Sequence, residues 1–333
     1  MVPQTKLALV IAGNSFSDED NADPQLLLGY LPDGLAGICD IKEWSTQPSS
    51  HYSMSMTLAM EEMFESLADA GYAGIIVVSG NGVMEEMAYM ANLFWRREEP
   101  VIFASLMLRG RTGAKEVLMN LRCSVLAALS EDARGKGVLV CSGGELFSAD
   151  DVTFADPASS FNTFQSLVRG PVGNMQNGVV KFFGDVRRPP LLLRRPAELP
   201  CVEIVQACLG GGEALLSSLA QARELRGLVL SGFGAGNIPP SWVPTVRNIL
   251  RRRIPVVITS RCMIPDVHKT GDFEGSFEKL TEMGVMSGGN LTPCKARIRL
   301  AVGIAAGLTD SGLSLYLLNM PVDTDDEADA LYK

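Results

Sequence analysis

The chain has 333 residues, of which 47% are hydrophobic and 20% are charged, and its formal net charge at pH 7 is −9. This composition is typical of a folded globular protein and excludes an intrinsically disordered chain, while the length favours two domains. The acidic balance argues against a general nucleic-acid or anionic-membrane surface. Because no run of about 18 apolar residues is free of polar interruption, no membrane-spanning helix is predicted.

The numbers and spacing of the cysteines and histidines indicate the cellular compartment of the protein and bear on whether it binds zinc. The seven cysteines are scattered and form no C-x-x-C pair, which is typical of reduced thiols in a cytoplasmic protein. The chain has only two histidines, so a Cys/His zinc site is not expected. The apolar run 7–12 is short and lacks a cleavage site, so no signal peptide is predicted.

Short apolar runs alternate along the chain with amphipathic segments. The runs are 6–12, 74–79, 100–104, 137–141, 202–206, 227–231 and 255–260, and helical patterns cover 55–70, 85–94 and 114–129. This alternation predicts βαβ units and therefore an α/β protein with a mostly parallel sheet. In such sheets ligands bind beyond the carboxyl ends of the strands.

A proline-rich segment divides the chain. Residues 185–200 contain four prolines among several arginines, and proline disfavours both helix and central strand. We interpret the segment as a solvated linker, with the arginines as an anion site being the less favoured alternative. The predicted domains are an N-terminal α/β domain over 1–186, a linker over 187–200 and a C-terminal α/β domain over 201–333.

Four loops follow predicted strands and are candidates for a binding site. The first carries Gly13 and Ser15, the second is 79–82, the third is 143–145 and the fourth is 232–237. Glycines let the backbone approach a ligand, and a serine hydroxyl is a possible nucleophile, although both are also common turn residues. The glycines of the fourth loop do not have the G-x-G-x-x-G spacing, so no dinucleotide cofactor is predicted.

Taken in order, these loops and the segments around them resemble the bacterial-type L-asparaginase/glutaminase family. "GVMEEMAYMA" (82–91) is similar to the family's "DTMEETAY", "GVLVCSGGELFSADDVTF" (137–154) to "GVLVVFNDEIHAARDVTK", and "NLTPCKARIRL" (290–300) to "LTP.KAR..L". The resemblance implies a larger N-terminal domain and a smaller C-terminal one, assembled as a homodimer or homotetramer. It also implies hydrolysis of a small amide through a threonine nucleophile assisted by a second threonine, an aspartate and a lysine, without metal or cofactor.

At the catalytic positions the resemblance implies four substitutions. Ser15 stands where the family has its nucleophilic threonine, and Asn81 stands where it has the second threonine. Gly82 replaces the aspartate that holds the substrate's ammonium group, and Phe154 replaces the lysine. Without a nearby base a serine hydroxyl stays protonated and weakly nucleophilic, and a buried ammonium group without a carboxylate loses its charge partner.

The substrate-binding positions are better retained. The family's binding serine matches Ser49 or Ser50, the loop glycines match Gly13 and Gly80, and the amide that helps to bind the amino group matches Asn237. Histidine follows Ser50 in the chain, so His51 could serve as a general base, although a surface histidine is the more common case.

Three functions are consistent with these residues. The first is a divergent enzyme that acts on a small carbonyl or amide compound other than asparagine, with Ser15 and Asn81 in the old cleft. The second is a non-catalytic protein that binds a small metabolite or a partner. The third is slow L-asparaginase activity through Ser15.

Overall fold

A computed structural model describes residues 5–13, 23–106, 113–159, 162–166, 168–186, 188–192, 195–308, 310–320 and 331–332. The chain divides into two compact units between Leu191 and Leu192. Within the described residues, no helix is long and apolar enough to cross a membrane.

The described part of the first unit is built on an eight-stranded sheet of order β10-β9-β6-β5-β4-β3-β1-β2. Its strands are Leu7–Ala12 (β1), Cys39–Ser45 (β2), Gly74–Ser79 (β3), Val101–Ser105 (β4), Val138–Ser142 (β5), Glu145–Ser148 (β6), Gly173–Gln176 (β9) and Val179–Phe182 (β10), and a separate hairpin joins Thr153–Phe154 (β7) to Phe164–Gln165 (β8). Strands β2, β1, β3, β4 and β5 run parallel, whereas β6, β9 and β10 are joined by antiparallel pairs. Its helices are Asp33–Ala36 (α1), Met54–Asp69 (α2), Met84–Phe94 (α3) and Gly113–Ala128 (α4).

Helices cover both faces of this sheet, which explains why its central strands are apolar throughout. Every residue of β1 is buried, with Leu7 and Leu9 in one hydrophobic cluster and Ala8 and Val10 in the other. Buried side chains of α4 join the first cluster, and those of α2 and α3 join the second. The sheet is therefore the middle layer of three, and its carboxyl edge stays available to loops.

The second unit is smaller and holds a parallel sheet of order β12-β13-β14-β15 in its described part. Its strands are Cys201–Gln206 (β12), Leu225–Gly232 (β13), Val256–Ser260 (β14), Met286–Ser287 (β15) and the two-residue Leu331–Tyr332 (β16). The two-residue strand Leu191–Leu192 (β11) contains the point of division between the units. The helices of the second unit are Glu213–Leu219 (α5), Val243–Arg251 (α6), Phe277–Glu282 (α7), Pro293–Ala305 (α8) and Asp310–Leu317 (α9). The α/β fold class predicted from the sequence, with a larger N-terminal and a smaller C-terminal domain, is confirmed.

The segment interpreted as a solvated linker is in part anchored to the first unit. Arg188 is half-buried and donates a hydrogen bond from its guanidinium to the Trp95 carbonyl. Its Nε and Cζ would lie 2.7 and 3.0 Å from a Cβ added at Gly137. Burial lowers the pKa of Arg188, and nearby Glu98 partly offsets this effect. Arg188 is therefore not solvated like the rest of a linker: it binds the backbone at the end of α3 and lies beside Gly137, just before β5.

Candidate functional site

Four strands of the first unit end at one edge of the sheet. The pairing register sets Ala12 opposite both Ser45 and Ser79, and Ser79 opposite Ser105. The loops that follow β1, β2, β3 and β4 therefore begin side by side, as expected for the carboxyl edge of a parallel sheet. Three of the loops in which the sequence predicts site residues start here.

Gly13 opens the loop after β1 and has a conformation that suits glycine. Its φ is +102°, and its N–H donates to the Ser45 carbonyl across 2.7 Å. A Cβ at this position would lie 3.0 Å from the Gln47 carbonyl oxygen and 3.2 Å from the Tyr52 hydroxyl. Glycine lets the loop pass close to its neighbour. Ser15, the predicted nucleophile, lies outside the described residues.

Tyr52 closes the loop after β2 against this glycine. Its hydroxyl donates to the Gln47 carbonyl across 3.0 Å, and its ring packs edge-on against Trp44 with centroids 5.0 Å apart. Burial raises the pKa of the Tyr52 hydroxyl. Tyr52 therefore stays a neutral donor at physiological pH, next to the loop that carries the predicted nucleophile.

The two candidate binding serines differ in their surroundings. Both lie in a short 3₁₀ turn, Ser49–His51, after β2. The Ser49 hydroxyl is 3.7 Å from the point where a Cβ at Gly82 would lie. Ser50 and His51 are exposed. Ser49 is thus the serine that faces the loop after β3.

Asn81 begins the turn that leads from β3 into α3, and its side chain is buried. Its Oδ1 accepts a hydrogen bond from the Ser105 hydroxyl across 3.2 Å. Gly80, which precedes it, is buried, whereas Gly82, which follows it, is exposed. This hydrogen bond from Ser105 helps to hold the buried Asn81 side chain in place.

A second buried amide, that of Asn120, holds the backbone of Ser105. Asn120, on α4, donates from Nδ2 to the Ser105 carbonyl across 2.7 Å, and its Oδ1 accepts from the Gly144 N–H across 3.0 Å. Both Asn120 and Ser105 are fully buried. One side chain therefore joins the end of β4 to the turn between β5 and β6, and through Ser105 to Asn81.

Phe154 lies in the β7–β8 hairpin, where its ring packs against another aromatic ring. Its ring centroid is 5.2 Å from that of Phe164, which is buried in the second hydrophobic cluster. The Phe154 N–H and the Thr153 hydroxyl both donate to Oε2 of Glu85, at 2.8 and 2.9 Å. Glu85 is in the first turn of α3, so the hairpin is anchored to the helix that follows Asn81.

Asn237 belongs to the second unit, in the loop after β13. Its Oδ1 accepts from the Phe277 N–H across 3.1 Å and from the Thr270 hydroxyl across 3.2 Å. Paired backbone bonds between Phe233 and Asn237 close the loop. The side-chain oxygen of Asn237 thus stabilises its own domain.

Sequence reasoning missed Ser105, Asn120, Tyr52 and Glu85. Ser105 could have been found because it directly follows the predicted run 100–104, and the others carry no local signal. Among the described residues, no cluster of His, Cys, Asp and Glu could hold a metal ion. The groups at this edge of the sheet are the neutral side chains of Asn81, Ser49 and Tyr52, together with the Glu85 carboxylate that holds the β7–β8 hairpin.

Comparisons with known proteins agree with this architecture. The family model for the asparaginase N-terminal domain matches residues 11–188, and the model for the glutaminase/asparaginase C-terminal domain matches residues 201–314. The chain therefore belongs to the asparaginase/glutaminase family, as the sequence motifs predicted.

Individual relatives extend this result. The chain is 29% identical over 315 residues to an L-asparaginase of Bacillus licheniformis, covering 90% of this chain and 96% of that protein. It is 27% identical over 312 residues to a probable L-asparaginase of Deinococcus radiodurans, covering 91% and 94%. Its fold is similar to that of the probable cytoplasmic L-asparaginase from Campylobacter jejuni, with a TM-score of 0.84, 22% identity and coverage of 95% and 99%.

Proposed function

We propose that this chain is an enzyme acting on a small carbonyl or amide compound other than asparagine, with Ser15 and Asn81 as its catalytic residues. The observation that carries the proposal is the loop Gly80–Gly82. Its asparagine is buried and oriented by Ser105, while the next residue has no side chain. Such a loop retains a polar contact for a carbonyl group and lacks a carboxylate for an ammonium group.

The missing carboxylate bears on the choice of substrate. The resemblance assigns to position 82 an aspartate that holds the α-amino group of asparagine, and glycine offers no counter-charge there. A desolvated ammonium group without such a partner is strongly disfavoured. The Ser49 hydroxyl, next to Gly82, is a neutral group that suits a substrate lacking the amino group.

The missing lysine bears on the chemistry. With Phe154 at the lysine's position, the positive charge that the resemblance assigns there is lost, and removing members of a catalytic unit costs on the order of 10⁴-fold or more in rate. Asn81 offers partial compensation, because an amide N–H can stabilise an oxyanion. The binding role proposed for Phe154 is to supply an apolar wall.

Turnover of succinamate beside L-asparagine is the sharpest test, because succinamate is asparagine without its α-amino group. We expect ammonia release from succinamate to exceed that from L-asparagine, and to be lost in Ser15→Ala and Asn81→Ala. Ser66→Ala, an exposed serine on α2, is the matched control and should retain the activity. Faster release from L-asparagine, lost in Ser15→Ala, would favour slow L-asparaginase activity instead.

The second candidate function is binding of a small molecule without turnover. It is favoured because both the aspartate and the lysine that the resemblance implies are replaced, by Gly82 and Phe154. In that case succinamate raises the melting temperature of the wild type and no ammonia is released. Activity that persists in both Ser15→Ala and Asn81→Ala would exclude the proposed site altogether.

Assembly and location complete the proposal. The resemblance supports a homodimer or homotetramer, and light scattering on the purified protein tests this. A cytoplasmic location is supported by the scattered cysteines and by the name of the Campylobacter jejuni neighbour. We propose neither a nucleic-acid partner nor a membrane partner, nor a cofactor or metal, for the catalytic site.

A further inference from the structure

Arg253, in the second unit, occupies a backbone conformation that normally belongs to glycine. It follows the C-terminal end of α6 with φ +60°, its N–H donates to the Leu250 carbonyl, and the Ile254 N–H donates to the Ile249 carbonyl. This is the helix-ending motif in which glycine is preferred, because a Cβ is crowded in the left-handed region. The other described non-glycine residues with positive φ are asparagines, which tolerate it well.

Helix capping by charge does not require this arginine. Arg251 donates to Oδ1 of Asn248, and Arg252 donates to the carbonyls of Ala220 and Ala222. These two guanidinium groups already supply positive charge at the C-terminal end of α6. The side chain of Arg253 forms no hydrogen bond or ion pair with any described residue, and it lines a cavity instead.

The cavity has a volume of about 550 Å³ and lies at the amino ends of β13, β14 and β15. Apolar side chains form most of it, namely Leu250, Ile254, Pro255, Met286, Ile304, Leu308 and Leu313. A second arginine, Arg226, is also part of the wall, and its Nη1 is held by the carbonyls of Arg223 and Leu225 at 2.7 and 3.1 Å. The described lining includes no carboxylate, in a chain whose net charge is −9.

We propose that this cavity binds a small molecule with an apolar body and one anionic head group, either a carboxylate or a phosphate monoester. The guanidinium groups of Arg226 and Arg253 contact the head group, and Ile254 and Ile304 contact the apolar body. Guanidinium is the side-chain group best matched to both anions, and the volume lies in the range of small-molecule sites. The turn itself would favour glycine at this position. A ligand-binding role for the guanidinium group explains why an arginine stands there despite the strained backbone.

Calorimetric titration of the full chain with three probes of one chain length tests the proposal. The probes are octanoate, octyl phosphate and the neutral octanol. We expect at least one anion to bind, with octanol at least about tenfold weaker, since the charged contacts are lost. The stronger of the two anions identifies the head group as carboxylate or phosphate.

Three variants separate the site from the fold. Arg253→Gly and Arg226→Ala should each weaken binding of the preferred anion by about tenfold or more, whereas Arg251→Ala, at the same helix end, should leave it unchanged. Because glycine suits the left-handed position, Arg253→Gly should not lower the melting temperature.

Several results would overturn the inference: binding of neither anion, octanol binding as tightly as the anions, or anion binding that survives Arg226→Ala and Arg253→Gly combined. If Arg253→Gly fails to fold, Arg226→Ala against Arg251→Ala decides the question. None of these outcomes depends on the catalytic proposal.

Discussion

The hydroxyl of Ser105 and the amide of Asn81 meet across 3.2 Å in a buried contact between the ends of two neighbouring parallel strands. Asn120 holds the Ser105 backbone from the other side. The position of a proposed catalytic side chain therefore depends on two residues that are themselves fully buried.

Ser105→Ala should clearly lower the rate of ammonia release while lowering the free energy of unfolding only slightly. Loss of one buried hydrogen bond, here the bond from the Ser105 hydroxyl to the Asn81 oxygen, costs about 1 kcal/mol in unfolding free energy. Urea unfolding measures the stability, and succinamate turnover measures the activity. Ser105→Thr keeps the hydroxyl and should recover part of the rate; an alanine variant as active as wild type would contradict the positioning role.

Asn120→Ala should destabilise the first unit more strongly, by about 2–4 kcal/mol. It removes bonds to the Ser105 carbonyl and the Gly144 N–H, and it leaves a cavity in a fully buried position. Equilibrium unfolding in urea is the measurement. A loss below about 0.5 kcal/mol, the scale of surface substitutions, would show that water replaces the amide without cost.

Gly13→Ala should also be destabilising, by about 1–3 kcal/mol, since the methyl group would meet the Gln47 carbonyl in a backbone region that alanine rarely adopts. Gly29→Ala is the matched control, because Gly29 has a negative φ and no atom within 4 Å of its added Cβ. Melting temperatures of the two variants should differ clearly. Equal values would mean that the loop relaxes around residue 13.

Acid should weaken one ion pair at the edge of the first sheet. The Lys6 ammonium, at 2.9 Å, and the Tyr72 hydroxyl, at 2.8 Å, hold the pKa of Asp40 below its usual value. A lowered folded-state pKa gives stability that is present above the unfolded pKa, about 3.9, and is lost as the pH falls through the folded value.

Asp40→Asn should therefore be slightly less stable than wild type at neutral pH, and this difference should shrink as the pH falls below the unfolded-state pKa of about 3.9. The effect is small, because the pair is partly solvated and salt screens it. Urea midpoints of both proteins across this pH range are the measurement. If the stability difference between wild type and Asp40→Asn grew as the pH fell, the proposed effect of the Lys6–Asp40 ion pair would be contradicted.

The central strands could be predicted from the sequence because burial on both faces gives continuous apolar runs, as in β1 and β3. The edge strand β2 gave no such signal, since Lys42 and Glu43 interrupt it and its residues are only partly buried. The β9–β10 hairpin carried a usable signal in Asn177-Gly178, a turn pair with positive φ at both residues.

The site was predictable only to the level of its loops. The sequence could place Gly13 and Asn81 at strand ends, whereas only the structure shows that the Ser49 hydroxyl lies near Gly82 and that Ser50 is exposed. The Ser105–Asn120 support depends on residues far apart in sequence. No local pattern reports such a contact, so only a three-dimensional structure reveals it.

Glu85 holds the β7–β8 hairpin through the backbone N–H of Phe154 and the hydroxyl of Thr153, and not through the side chain at position 154. Any residue other than proline supplies that N–H. A different side chain at position 154 would give up the ring contact with Phe164 but would leave this anchor to α3 in place. The hairpin can therefore change its side-chain chemistry at this position by a single substitution, without rebuilding the hydrogen bonds that hold its backbone.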